Sequence, residues 1–93
     1  MTVIRTVGLV GGAPSPFDGR YLVEYDPERP GRDPAGRPML AHIGTSEHRS
    51  EALEFAGVPE AHALWTRVAE REPVRPDGRP NRPLTAFSVE LLP

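Results

Sequence analysis

PEAHALWTRVAER, residues 59–71, has the most regular pattern in the chain. Its apolar side chains recur three and four positions apart, which places them on one face of an α-helix. These side chains are Ala61, Leu64, Trp65, Val68 and Ala69. Pro59 suits the first helical position, because the N–H that proline lacks would have no partner there. The stretch therefore predicts one main helix over about residues 59–71, with Trp65 facing the core.

Four segments rich in β-branched and aromatic residues surround this helix and predict strands. They are residues 2–10, 20–26, 39–45 and 84–92. The first carries apolar residues on both faces, so the sequence leaves its buried face open. We expect the second and third strands to pair, with a long hairpin loop between them. The order β-β-β-α-β predicts an α+β fold, a small antiparallel sheet with the main helix packed on one face.

The segment SEHRSEALEFAG, residues 46–57, fits two structures. Thr45 or Ser46 would cap a short helix that ends at Gly57. The alternative is a helical turn at residues 48–52, followed by extended residues 53–55 that lead into the main helix. We favour the short helix.

Length and composition limit the class of protein. The chain has 93 residues, enough for a single α+β domain over residues 1–93. It has no cysteine, which excludes disulfides and thiolate metal sites. We expect a cytoplasmic protein with no membrane partner, since no apolar run has the length of a membrane span and the first residues lack the order of a signal peptide. The formal net charge of −2 gives no overall attraction for nucleic acid.

Two loops, at about residues 27–38 and 72–83, are rich in proline and arginine. Proline restricts the backbone, so these loops would present arginine side chains semi-rigidly, as a binding surface requires. If both loops lie at one end of the sheet, their arginines form one patch, to which two tyrosines of the second strand would add aromatic contacts. The predicted partner-binding residues are Arg29, Arg32, Arg37, Arg75, Arg79, Arg82, Tyr21 and Tyr25. The alternative is codon bias: GC-rich codons would also produce the 12 Pro, and the 11 Arg without a single Lys.

The sequence contains no catalytic constellation that we recognise. None of the histidines, His42, His48 and His62, has the spacing of a metal site, and we expect neither a metal nor a cofactor. Glu24 and His42 would become neighbours if the second and third strands pair, both pointing away from the face that Tyr21 and Tyr25 share. An acid beside a base can transfer protons, although a cross-strand hydrogen bond explains the pair without a substrate.

These observations lead to three hypotheses about function. The first is a non-enzymatic protein-interaction module that binds another protein through the Pro/Arg loops. Exposed strand edges also make a homodimer by sheet extension plausible. The second is a nucleic-acid-associated protein that uses the Arg-rich loops on phosphates. The third is a small enzyme that uses Glu24 and His42.

Three stretches resemble small proteins encoded by GC-rich actinobacteria and their phages. They are DGRYLVEYDPE (18–28), EALEFAGVPEAHALW (51–65) and RPDGRPNRPLTAFSVEL (75–91). The resemblance covers most of the chain and implies an actinobacterial or phage-encoded small α+β protein. It implies no activity and assigns no role to any residue.

Overall fold

The computed structural model describes residues 1–70 and 73–93 of the chain, in which five strands precede a single α-helix and one strand follows it. The helix is α1 (Val58–Trp65). The strands are β1 (Val3–Leu9), β2 (Tyr21–Asp26), β3 (Gly31–Arg32), β4 (Pro38–Met39), β5 (His42–Ser46) and β6 (Phe87–Leu92). Four of them form an antiparallel sheet in the order β5-β2-β1-β6, and β3 pairs with β4 in a separate ribbon. Two predictions are confirmed. The fold belongs to the α+β class, and β2 pairs with β5, which are the second and third strands of the main sheet along the chain.

The side of β1 that faces the core carries Ile4, a point that the sequence left open, and Val3 on the other side is also buried. Ile4 is almost fully buried, and Thr2 and Thr6 on the same face are buried with it. Phe17, in the loop that follows β1, folds back onto this face and packs edge to face against Phe87, with 5.2 Å between ring centroids. The core also includes Leu22, Ile43, Ala61 and Leu84.

Helix α1 is shorter than its apolar pattern predicts, because it ends at Trp65. Thr66 caps it, and the Thr66 hydroxyl donates to the carbonyl of His62 at 2.9 Å. The chain then leaves the helical path, and the Ala69 N–H donates to the carbonyl of Asn81 in the second proline-rich loop at 2.9 Å. Ala69 is therefore buried although it lies beyond the end of the helix. The predicted end of the helix, Arg71, and the predicted start of the second loop, Glu72, lie outside the described residues.

The Trp65 indole ties the end of α1 to the last strand. Its N–H donates to the carbonyls of Leu84 and Phe87, at 3.0 and 3.3 Å. Leu84 lies in the 3-10 turn Pro83–Ala86, and Phe87 begins β6, which spans Phe87–Leu92. The strand predicted over residues 84–92 thus begins late, since proline favours the first position of a helical turn.

The segment between β5 and α1 adopts the alternative that we did not favour. Arg49–Glu51 forms one 3-10 turn, and an extended stretch follows it. The Leu53 N–H donates to the Leu22 carbonyl at 2.8 Å, and Phe55 exchanges two backbone hydrogen bonds with Thr2. The short helix over residues 46–57 is therefore wrong. Strands β1 and β2 pair at a single register position, so the extended stretch satisfies backbone groups that would otherwise be buried without partners.

A bulge in β2 interrupts the alternation that the sequence predicts for it. The register of β2 against β5 shifts between Leu22 and Glu24. Tyr21 lies opposite Arg5, on the face away from Ile4, whereas Tyr25 lies opposite the buried Ile43 and packs against the core. The two tyrosines therefore do not share a face, because one extra residue in a strand reverses every side chain that follows it.

The first proline-rich loop contains regular structure that we did not predict. Strands β3 and β4 form a ribbon within it, and Met39 belongs to this ribbon instead of the third strand predicted over residues 39–45. The ribbon lies against β5: a Cβ added to Gly31 would be 2.9 Å from the Cα of His42. Only glycine permits this approach, so the ribbon covers part of the β5 edge.

We predict that Trp65→Phe lowers the free energy of unfolding by about 2–3 kcal/mol, because it removes the indole donor and leaves a small cavity. Urea unfolding followed by far-UV circular dichroism measures this, since the variant has no tryptophan fluorescence. Val58→Ala, at an exposed position of the same helix, is the control and should change the value by less than about 0.5 kcal/mol. Equal effects of the two variants would refute the anchoring role of Trp65.

Candidate functional site

An apolar groove opens between the two proline-rich loops, beside Ala69 in the segment that follows α1. The eight residues of α1 make a helix of only about 12 Å. Such a helix covers part of the sheet, and loops flank the remainder of the buried face. The groove has a volume of about 470 Å³, within the range typical of ligand pockets. Ile43 and Phe87 line it from the core, so the groove reaches the centre of the fold.

Prolines from both loops and an exposed leucine form the sides of the groove. Pro27 and Pro30 come from the first loop and Pro83 from the second. Proline has a fixed φ, so the backbone of these walls has little freedom to rearrange. Leu40 also lines the groove, yet 88% of its surface is exposed. A large apolar side chain this exposed beside an apolar cavity is typical of a surface that another molecule covers.

Backbone hydrogen bonds hold the two loops to the segment that follows α1. The Ala69 N–H donates to the Asn81 carbonyl of the second loop at 2.9 Å. The next N–H, that of Glu70, donates to the Glu28 carboxylate of the first loop, also at 2.9 Å. The segment thus bridges the loops, as the hypothesis of a common loop surface requires.

The six predicted arginines lie in three different settings. Arg29 and Arg82 are exposed and adjacent in sequence to the groove-lining Pro30 and Pro83. Arg32 and Arg37 flank the turn of the β3–β4 ribbon, and Arg75 and Arg79 flank a turn in the second loop.

Most of these arginines interact with groups of their own loop. Ion pairs join Arg29 to Asp26 at 4.0 Å, Arg37 to Asp33 at 3.5 Å and Arg75 to Asp77 at 3.6 Å. The Arg32 guanidinium donates to the Gly36 carbonyl at 2.9 Å. These contacts reduce the positive charge that the loops present to a partner.

The Tyr25 hydroxyl is buried and has no hydrogen-bond partner among the described residues. Burial raises the pKa of Tyr25 from 10.0 to about 12, against the opposing effect of the Arg67 guanidinium. Tyr21 lies on the other face of the sheet, so the predicted aromatic residues do not contribute to one surface.

Glu24 and His42 are neighbours, as we predicted. The His42 Nε2 lies 2.7 Å from the Glu24 Oε1, across the β2–β5 pair. Neither side chain lines the groove, and the Glu24 side chain is 61% exposed. The arrangement is a cross-strand hydrogen bond on an open surface, without walls that would orient a substrate. His62 lies apart from this pair, edge to face with Trp65.

Residues 1–70 and 73–93 contain no group of three or more acidic, histidine or cysteine side chains arranged to hold a metal ion. No helix in the described part of the chain is both long and apolar enough to cross a membrane.

Comparison with known proteins adds no functional information, because no family model, no curated protein and no solved structure matches this chain. The groove was also not predicted from the sequence. One feature of the sequence pointed to an exposed apolar side chain at this place. In the run Met39-Leu40-Ala41, Leu40 alternates with its apolar neighbours and so points to the opposite side. The function must therefore be argued from the groove and the loops that surround it.

We predict that the protein loses stability as the pH rises from about 10 towards 12. In this window folded Tyr25 keeps a proton that the unfolded chain releases, because its pKa is about 12 in the fold and 10.0 otherwise. The stabilising effect is complete below pH 10 and declines above it. Urea unfolding of wild type and Tyr25→Phe at about pH 9 and about pH 11 measures this. The variant should be as stable as wild type or up to about 1 kcal/mol more stable at the lower pH, since it removes an unpaired buried hydroxyl.

The difference in the free energy of unfolding between wild type and Tyr25→Phe tests whether Tyr25 causes the loss of stability at high pH. Other groups that titrate at high pH contribute equally to wild type and variant, so they cancel. Tyr25→Phe should gain stability relative to wild type on going to the higher pH. A difference that does not change with pH would contradict the burial of the Tyr25 hydroxyl.

Proposed function

We propose that the protein is a non-enzymatic interaction module whose groove binds an extended segment of another protein. The segment would insert one large apolar side chain between the proline-rich loops and place acidic residues beside it. The observation that carries the proposal is a cavity of about 470 Å³, lined by core and proline side chains, with Leu40 exposed at its side.

The apolar lining supports an apolar anchor. Met39, Leu40 and Ala86 are lining residues that a bound side chain would remove from water. Burying one large apolar side chain contributes about 1.5–3 kcal/mol, enough to dominate a short interface. The proline walls, which have little freedom to rearrange, reduce the conformational entropy that binding would otherwise cost.

The charges beside the groove support acidic flanking residues. Arg29 keeps 58% of its side chain exposed, and its ion pair with Asp26, at 4.0 Å, is the longest in the first loop. Such exposed pairs contribute little, so a carboxylate of a partner would compete for the guanidinium. No described residue forms an ion pair with Arg82. Arginine binds carboxylates with two parallel hydrogen bonds, which would orient the segment.

The other hypotheses have less support. A nucleic-acid-associated protein would need net positive loops, whereas Asp26, Asp33 and Asp77 each lie beside an arginine there. An enzyme that uses Glu24 and His42 would need a cavity around the pair, and the groove is lined by other residues. The cytoplasmic location and the actinobacterial or phage setting stay predictions from the sequence.

A random peptide library selected on the immobilised protein tests the proposal. We expect the enriched peptides to share one large apolar residue with Asp or Glu within a few positions. Ala86→Trp should weaken their binding at least tenfold, about 1.4 kcal/mol, because the indole occupies the groove from an exposed position. Ala63→Trp is the matched control, since Ala63 is exposed on α1 and does not line the groove.

A second pair of variants separates the roles of charge and shape. Arg29→Gln with Arg82→Gln should weaken the same peptides several-fold and reduce the salt dependence of binding. Arg75→Gln with Arg79→Gln, on the turn of the second loop, should have a smaller effect. Enriched peptides that are basic, or that bind Ala86→Trp as well as wild type, would overturn the proposal.

A further inference from the structure

Strand β5 forms one edge of the main sheet, and part of this edge borders the groove. Its inner side pairs with β2, and no described strand pairs with its outer side. The β3–β4 ribbon contacts β5 at His42, where Gly31 approaches the Cα and the imidazole ring. The ribbon forms a separate sheet, so no backbone ladder joins it to β5. Ala41, just before β5, and Ile43, within it, both line the groove.

The direction of the backbone groups in this segment follows from the pairing of β5 with β2. Asp26 lies opposite His42, and the next residue, Pro27, has no N–H. In an antiparallel ladder, two opposed residues either bond to each other or are flanked by the bonds of their neighbours. Pro27 cannot donate, so Asp26 and His42 bond to each other. Alternation along the strand then turns the N–H and carbonyl of Ala41 and of Ile43 away from β2.

The far end of β5 agrees with this direction and shows how much of the edge is free. The Leu22 carbonyl accepts a hydrogen bond from the Leu53 N–H, so Leu22 does not bond to Thr45, which lies opposite it. Thr45 therefore also points outwards. The Thr45 carbonyl already accepts from the Arg20 guanidinium at 3.1 Å, so this end of the edge is occupied. The free part of the edge is limited to the stretch beside the groove.

The backbone of Ala41 lacks hydrogen-bond partners although the residue is buried. Only 6% of the Ala41 surface is exposed, and no described residue hydrogen-bonds to its N–H or its carbonyl. Nearly all buried backbone groups in proteins are paired, because losing water without a replacement costs free energy. A ligand that brings a backbone donor and acceptor of its own would supply the missing partners.

We propose that the partner segment binds as a short strand added along β5, with its backbone hydrogen-bonded to Ala41 and Ile43 and its anchor side chain in the groove. This binding mode rests on the function proposed for the groove and specifies how the segment is recognised. The two residues offer about four hydrogen bonds, two at each. The Ile43 side chain faces the core and lines the groove, and an added strand directs alternate side chains to the same face.

Strand addition separates affinity from specificity. Hydrogen bonds to the main chain contribute affinity for any extended segment, whereas pockets for alternate side chains select the sequence. Here the groove is the pocket, and Arg29, next to the groove-lining Pro30, is the charge beside it. A segment bound in this way has no proline at the positions whose N–H groups bond to β5.

Replacing single backbone N–H groups of a library-selected peptide by ester oxygens tests for the added strand. We expect a loss of affinity of about tenfold at two positions that lie two residues apart. The ester at the position between them is the matched control and should change affinity by less than about twofold, because alternate N–H groups point away from β5. Sensitivity at the anchor residue itself corresponds to an antiparallel strand, and sensitivity at its two neighbours to a parallel one. Both results support strand addition.

Amide hydrogen exchange of the protein, followed by NMR with and without saturating peptide, locates the bonds on β5. The N–H groups of Ala41 and Ile43 should exchange at least about tenfold more slowly in the complex. His42 is the internal control, since its N–H already bonds to Asp26, and its exchange should change much less.

The outcomes distinguish strand addition from the binding function of the groove. Selected peptides that bind but tolerate the ester at every position would overturn strand addition and leave the groove function intact. Unchanged exchange at Ala41 and Ile43 in a saturated complex would have the same meaning. A selection that enriches no peptide would overturn both.

Discussion

The hydrogen bond from the Trp65 indole to the Leu84 carbonyl is the contact on which the arrangement of the fold depends. At 3.0 Å it joins the last residue of α1 to the turn that begins the final strand. An indole N–H that packs against the core needs an acceptor, and the Leu84 carbonyl of the 3-10 turn supplies one. The contact holds the helix end over β6, and the chain has to turn away at Thr66. The groove lies beside this turn.

The groove exists because the helix does not cover the whole apolar face of the sheet. Four strands present more apolar surface than a helix of eight residues can bury, and loops rich in proline complete the layer. Proline loops are stiff and lack many side-chain contacts, so they leave space between them where a repacked helix would leave none. The same feature that limits the core therefore creates the surface that we propose for binding.

Strands and helix were predicted well where the apolar pattern extended over a whole segment. They were predicted poorly where a single residue shifted the alternation of side chains between the two faces of a strand. The strand at residues 20–26 and its partner were assigned correctly, but the bulge between Leu22 and Glu24 reversed the face of Tyr25. Glu24 and His42 were correctly placed together, since that contact depends only on strand pairing. The groove was missed because its lining comes from loops far apart in sequence, which no local pattern connects.

The sequence by itself determined the order of the helix and the four strands of the main sheet, the burial of Ala61 on the helix, and the proline-rich character of both loops. These properties follow from periodicity and backbone restriction, which act over a few residues. Only the tertiary structure decided where α1 ends, which side of β1 faces the core and that residues 53–55 are extended. Each of these depends on hydrogen bonds to groups distant in the chain: Ala69 to Asn81, Trp65 to Leu84, and Phe55 to Thr2. A local pattern carries no information about such partners, because they meet only once the whole sheet has formed.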